Sequence, residues 1–156
     1  MRSALQQGDL ARVTRLLARP YSISGRVVRG DSVGRQLGFP TANVQMKHNR
    51  PPLSGIFAVE LAVPSPHGAR MLRGVASLGV RPTLVQGGRS VLETHIFEFA
   101  GDLYGQHVRV DFHHKLRNEE KYADLATLTR QIARDVENAR NYFLTAEARR
   151  RKGAAK

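Results

Sequence analysis

The stretch HVRVDFH, residues 107–113, alternates without a break. Val108, Val110 and Phe112 fall on one side, and His107, Arg109, Asp111 and His113 on the other. A period of two is that of a β-strand with one face in a core and the other toward water. Outward from this segment further short strand candidates follow: Leu92–Phe99, Met71–Leu78, the strongly apolar Gly55–Val63 (GIFAVELAV), the brief Thr41–Val44, and Ile23–Arg29 with its β-branched residues. Turn formers separate them, Gly30-Asp31 after the first and PSPHG (64–68) after GIFAVELAV. Six short strands broken by Gly/Pro turns predict a closed antiparallel barrel, because closure removes the sheet edges.

Helical periods flank the strands. Asp9 is placed to cap a short helix carrying Leu10, Val13, Leu16 and Leu17 before Arg19-Pro20 stops it. After Asn118, Leu125, Leu128, Ile132, Val136, Ala139 and Phe143 recur on one face of a helix from about Tyr122 to Glu147. Such a stripe predicts packing on the barrel. The basic tail ARRRKGAAK (148–156) is expected to be a solvated, disordered terminus. No internal repeat is present.

Composition bounds the answer loosely. At 156 residues the chain amounts to about one domain, and 41% hydrophobic with 24% charged is ordinary for a globular protein. It contains no cysteine, so disulfides and thiolate zinc sites are excluded, and a reducing, cytoplasmic setting is favoured. Arg2, Arg12, Arg15 and Arg19 against Asp9 could suggest a transit peptide, but the capped helix gives this segment its own structural role. No apolar run nears the roughly 20 residues needed to span a bilayer. The formal net charge of +12 attracts anions, nucleotide and nucleic acid alike.

The chemistry-bearing stretch is GRQLGFPTAN (34–43) and the residues leading into it. Gly30, Gly34 and Gly38 recur every fourth residue with Arg35 among them. Backbone N–H groups in such a loop can wrap an anion, and an arginine fork can pair a phosphate. The spacing is neither a Walker A motif nor G-x-G-x-x-G, and a flexible hairpin connection also explains it. Pro40 stiffens the exit, and Thr41 and Asn43 share a face on an extended backbone. A hydroxyl beside an amide oxygen makes hard ligands for Mg²⁺ carrying nucleotide phosphates, or simply bonds the loop backbone.

In LETHIFEF (92–99), alternation sets Glu93, His95, Phe97 and Phe99 against Leu92, Thr94, Ile96 and Glu98. A carboxylate sharing a face with phenylalanines is paired, edge-exposed or functional. Arg29-Gly30-Asp31-Ser32 spells an adhesion tetrapeptide by coincidence. The six histidines form no H-E-x-x-H, and His113 and His114 are expected on opposite faces of a strand, which argues against catalytic zinc.

With GRQLGFPTAN, GVASLGVRPT (74–83), ETHIFEFAGDLYG (93–105) and LRNEEKY (116–122) in this order, the chain resembles the riboflavin kinase family. The closer likeness is to the kinase module at the C-terminal end of bacterial bifunctional riboflavin kinase/FMN adenylyltransferases, over roughly Tyr21 to Phe143. ALQQGDLARVTRLLARPY (4–21) looks like the linker helix preceding that module. The resemblance implies a six-stranded antiparallel Greek-key barrel with a short N-terminal and a long C-terminal helix. It divides the chain into a linker-like helix (1–20), a kinase domain (21–147) and the tail (148–156).

It further implies ATP-dependent phosphorylation of the riboflavin ribityl 5′-hydroxyl to FMN and ADP. Glu93 would be the catalytic base. Gly30, Gly34, Arg35, Gly38, Thr41, Ile96, Glu98 and Gly105 would bind ATP, with Thr41 and Asn43 holding Mg²⁺. Arg117, Glu119 and Tyr122 would cap the flavin, where the family often has phenylalanine in place of Tyr122. No specific nucleic acid and no membrane are implied as partners, and an adenylyltransferase domain is implied in a parent protein, with no FAD synthesis from this chain alone. Two alternatives stand beside this reading: a nucleic-acid-binding small barrel, for which only ten Phe and Tyr are available to stack bases, and a non-catalytic flavin-binding module.

Overall fold

The computed structural model describes residues 2–28, 41–46, 52–66, 68–81, 89–98, 103–120 and 122–154. Gly30, Gly34, Arg35 and Gly38, singled out in the sequence, lie outside the described residues. The elements in chain order are α1 (Arg2–Gln7), α2 (Leu10–Leu17), β1 (Tyr21–Val28), β2 (Ala42–Met46), β3 (Gly55–Ser65), β4 (Gly68–Arg81), β5 (Arg89–Ile96), β6 (His107–Arg117) and α3 (Leu125–Ala154). The six strands close into an antiparallel barrel in the order β1-β2-β5-β4-β3-β6. Strands β3 to β5 follow one another as neighbours and β6 returns beside β3, which is a Greek key.

Alternation sorts the barrel as the sequence predicts. Val108, Val110 and Phe112 of β6 meet Phe57, Val59 and Leu61 of β3, Leu78 of β4 and Leu92 of β5 in one inner core. Phe57 and Phe112 pack edge to face with ring centroids 5.2 Å apart. β3 departs from alternation because it is apolar at nearly every position, and the structure explains why. Its inner residues line the barrel, while Ile56 and Ala58 face outward into a second cluster with Val75 and with Ala139 and Phe143 of α3. A strand covered on both sides has no water-facing positions to keep polar.

The N-terminal helix is a pair. Asp9 caps α2 as expected, its Oδ1 accepting from the Arg12 N–H at 3.1 Å, but α1 precedes it. Ala4, Leu5, Leu10 and Val13 join the inner core, so the pair closes one end of the barrel. Leu16, expected on the packed face, is instead 54% exposed.

At the other terminus, α3 begins after Asp124, whose Oδ1 accepts from the Thr127 N–H at 2.7 Å. That bond holds the Asp124 carboxyl below its usual range. The helix does not stop at Glu147 but runs to Ala154, so most of the basic tail is helical where disorder was expected. Arginine, lysine and alanine are strong helix formers, and the first breaker after Glu147 is Gly153. Leu125, assigned to the packed stripe, is 60% exposed in the first turn.

A second correction concerns His113 and His114. β6 is irregular against β3: Val59 pairs with Phe112 and Ala58 with His114, leaving His113 as the extra residue of a bulge. Both imidazoles therefore reach α3, where His113 meets the Phe143 ring edge-on at 5.9 Å and His114 stacks on Tyr142 at 4.8 Å. Burial lowers the His114 pKa, which suits a neutral ring in a stack. His113 Nε2 lies 2.9 Å from Glu60 Oε1, at ion-pair distance but outside hydrogen-bond geometry. The proximity of His113 holds the Glu60 carboxyl below its usual range.

Phe143 anchors the helix, 3% exposed and also facing the Arg73 guanidinium at 4.9 Å. Phe143→Ala should cost roughly 3–5 kcal/mol, the range for truncating a buried aromatic, in a denaturant titration. A loss below about 1 kcal/mol would mean that α3 is not anchored there.

Candidate active site

The register of three neighbouring strands lays a polar row across the outside of the barrel. Asn43 of β2 pairs with Glu93 of β5, and Glu93 pairs with Ser77 of β4. Directly paired residues share a face. Leu92, Thr94 and Ile96 are buried in the barrel, so Asn43, Glu93 and Ser77 look outward. Thr94 Oγ1 donates to the Ala42 carbonyl at 3.2 Å and ties β5 to β2 beneath the row. Thr41 stands just before β2, on the Asn43 side of the strand's alternation.

Above the row opens a cleft whose empty space, with the open solvent at its mouth included, is about 820 Å³. Its floor is Glu93, His95 and the β4 segment Val75–Ser77, and Leu128 and Ile132 of α3 form one wall. Arg117, Glu119, Glu120 and Tyr122, from the end of β6 and the segment that follows, form the rim.

The rim is fixed by an ion pair. Arg117 donates from Nε and Nη2 to the two carboxylate oxygens of Asp135, each at 2.8 Å, and from Nη1 to the Asn118 carbonyl at 3.0 Å. Gln131 adds a third donor to Asp135 at 3.2 Å. Hydrogen bonding to Asp135 raises the Arg117 pKa, so its charge is permanent. The Arg117 guanidinium also lies 5.8 Å from the Tyr122 ring centroid.

Glu119 folds back onto the floor, where its Oε1 accepts from Ser77 Oγ at 3.2 Å. Partial burial raises its pKa, the Glu93 charge adds to the rise, and the Ser77 bond and Arg117 oppose it. Glu93 and Glu119 therefore face the cleft together with Glu120 and Asp135, and the Arg117 guanidinium is bound to Asp135 between helix and rim. The Tyr122 hydroxyl is buried with no hydrogen-bond partner among the described residues, and burial raises its pKa.

Five of the residues singled out in the sequence, Thr41, Glu93, Arg117, Glu119 and Tyr122, thus line one cleft, and Asn43 adjoins it through Glu93. Three others lie elsewhere. Ile96 turns its side chain into the barrel and is 8% exposed, which leaves its backbone for any ligand. Glu98 sits in the turn after β5 with φ of 53°, pairs with Arg140 at 3.3 Å and points to solvent. Gly105, at φ of 81°, donates its N–H to the Val27 carbonyl and so lies beside the end of β1.

Sequence reasoning missed Ser77, Gln131 and Asp135. Ser77 stood inside the quoted GVASLGVRPT, but only strand pairing reveals its place beside Glu93. Among the described residues no three His, Cys, Asp or Glu side chains are grouped to hold a metal. A hard cation here would draw on Thr41 and Asn43, neutral oxygen donors beside a carboxylate, together with anionic oxygens of its own ligand. That donor chemistry fits Mg²⁺ arriving with phosphates.

A family model described as Flavokinase: Riboflavin kinase matches residues 17–143. The bifunctional riboflavin kinase/FMN adenylyltransferase of Escherichia coli (strain K12) is 47% identical over 143 residues, covering 92% of this chain and 44% of that protein. The chain thus spans less than half the length of this curated relative. The crystal structure of a macrolide-efflux protein from Streptococcus pneumoniae is similar with a TM-score of 0.80 and 30% identity, over 90% of this chain and 45% of that one. A riboflavin kinase from Trypanosoma brucei shares the fold at a TM-score of 0.56 and 24% identity, over 80% of both chains.

The buried Tyr122 hydroxyl makes a direct prediction. Tyr122→Phe removes a desolvated, unpaired polar group and keeps the ring, so stability should hold or rise by about 1 kcal/mol in denaturant titration. A loss of that size would mean the hydroxyl has a partner.

Proposed function

The chain belongs to the riboflavin kinase family, and from that premise we propose that it transfers the γ-phosphoryl group of ATP to the ribityl 5′-hydroxyl of riboflavin, giving FMN and ADP. The observation carrying this reading is the convergence of Thr41, Glu93, Arg117, Glu119 and Tyr122 on one cleft, with Asn43 paired directly to Glu93.

In the proposed reaction Glu93 accepts the proton of the 5′-hydroxyl as its oxygen attacks the γ-phosphorus and ADP departs. Phosphoryl transfer asks for positioning and charge neutralisation more than for covalent help. Mg²⁺ held by Thr41 and Asn43 would offset charge on the phosphates. Gly30, Gly34, Arg35 and Gly38 would cradle them, and Ile96, Glu98 and Gly105 would frame the nucleotide, through main chain in the case of Ile96. The pairing of the Gly105 turn with Val27 supports this, since it sets that turn beside the end of β1.

The apolar wall of Leu128 and Ile132 suits a flat ring system, and Arg117, Glu119 and Tyr122 would cap it. Arg117 is engaged by Asp135, so its contribution would be to hold the rim. In a longer parent protein the FMN formed would pass to an adenylyltransferase domain. We place the reaction in the cytoplasm, where ATP and Mg²⁺ are abundant. A nucleic-acid-binding barrel is not favoured, because the matching family model and the 47%-identical relative both carry riboflavin kinase in their descriptions.

Incubation with riboflavin, ATP and Mg²⁺, followed by chromatography of the flavins, should yield FMN from these 156 residues, with FAD at background. Glu93→Gln should lower turnover on the order of 10²–10⁴-fold with ATP affinity little changed. Near-normal turnover in that variant would remove Glu93 from the role of base.

A further inference from the structure

Gly79 lies on β4 two residues beyond Ser77 and therefore on the same outward face. Its φ is not among the positive values of the chain, so its backbone is compatible with any residue. Glycine inside a strand weakens it and calls for a reason. At Gly25 and Gly74 the reason is close passage of the neighbouring strand, since a Cβ would strike the backbone carbonyls of Gln45 and His95. Gly79 is different: a Cβ there would overlap both carboxylate oxygens and the Cδ of Glu119. The carboxylate of the rim thus lies flat on a bare Cα, while Ser77 Oγ donates to its Oε1 at 3.2 Å.

We propose that Ser77 and Gly79 are positioning residues, a hydroxyl and an empty side-chain position that together seat the Glu119 carboxylate on the cleft floor near Glu93. The inference rests on the riboflavin kinase reading for its functional consequence. The seat itself is a matter of packing. The Glu119 carboxylate stands at the end of a flexible side chain. Hydroxyl and bare Cα each remove one freedom: the hydrogen bond fixes which oxygen points to β4, and the missing methyl fixes how close it comes. With the carboxylate seated, the rim closes over the cleft in one arrangement, and the acceptor substrate meets it preorganised. Partial burial raises the Glu119 pKa and the Glu93 charge adds to the rise, which agrees with a carboxylate laid against the floor near Glu93.

The test uses Gly79→Ala, Ser77→Ala and Glu119→Ala, and the double variant Gly79→Ala with Glu119→Ala. Carbodiimide labelling of carboxylates, read by mass spectrometry, reports the seat without any assay of activity. Gly79→Ala should raise labelling of Glu119 several-fold and leave the other carboxylates unchanged. In the flavin assay Gly79→Ala should raise KM for riboflavin about tenfold while kcat falls less than about threefold, and Ser77→Ala should act in the same direction but less. In the Glu119→Ala background, adding Gly79→Ala should change KM no further, because the methyl then has nothing to displace.

Unchanged Glu119 labelling in Gly79→Ala overturns the seat, as does a KM effect that persists in full without Glu119. If Gly79→Ala fails to fold, labelling of Glu119 in Ser77→Ala decides: a rise supports the seat and no rise overturns it. Failure of the unaltered chain to form FMN is a separate result. It removes the catalytic reading and leaves the labelling to judge the seat.

Discussion

The cleft depends on the two-pronged contact between Arg117 and Asp135. Both charges are largely withdrawn from water, the arginine side chain 20% and the aspartate 5% exposed. Desolvating two charges is costly, and a pair like this persists only where geometry and further hydrogen bonds compensate. Both oxygens of Asp135 are engaged, Gln131 supplies a third donor, and Arg117 also satisfies the Asn118 carbonyl. Removing either partner would leave a buried charge alone, so the pair specifies position more than it adds stability. It ties the last residue of the barrel to the middle of α3, sets the rotation of the helix, and starts the rim segment in a defined direction.

The rest of the site follows from that tie. With Asp135 facing Arg117, Leu128 and Ile132 fall toward the cleft, while Ala139 and Phe143 fall on the outward-facing residues of β3 and β4. The same helix therefore walls the cleft with one half and holds the barrel with the other. Farther along, Arg73–Glu147 and Arg140–Glu98 pair across the α3–barrel boundary, exposed enough to be worth little energetically. Orientation comes from the buried pair and the Phe143 anchor.

Electrostatics divide by scale. The chain as a whole carries +12 and draws polyanions toward it. The cleft reverses the sign locally: Glu93, Glu119, Glu120 and Asp135 line it, with Arg117 committed to Asp135. A polyphosphate needs accompanying cations to approach such a lining. The proposed division of labour, base on the strand and cation at Thr41 and Asn43, follows from that contrast.

Sequence alone determined what depends on near neighbours along the chain. Period-two alternation in HVRVDFH and LETHIFEF fixed which side chains enter the barrel, since alternation is a property of the single strand. Asp9 fixed the start of α2, and the 3.6-residue stripe fixed that a long helix would pack. The family's motifs named Thr41, Glu93, Arg117, Glu119 and Tyr122, which the fold gathers into one cleft. The tertiary structure decided what depends on a partner strand or helix. The bulge that turns both His113 and His114 to α3 exists only in the register with β3. Leu16 is exposed although its neighbour Leu17 packs against the core, and Leu125 is exposed in the first turn of its helix. Ser77 acquires meaning from pairing with Glu93, Asp135 from a contact eighteen residues away in sequence, and Gly79 from a carboxylate laid across it. Local pattern specifies which face a residue takes. Only the assembled fold specifies what that face meets, because register, bulges and helix rotation are set by contacts between segments that the linear chain keeps apart.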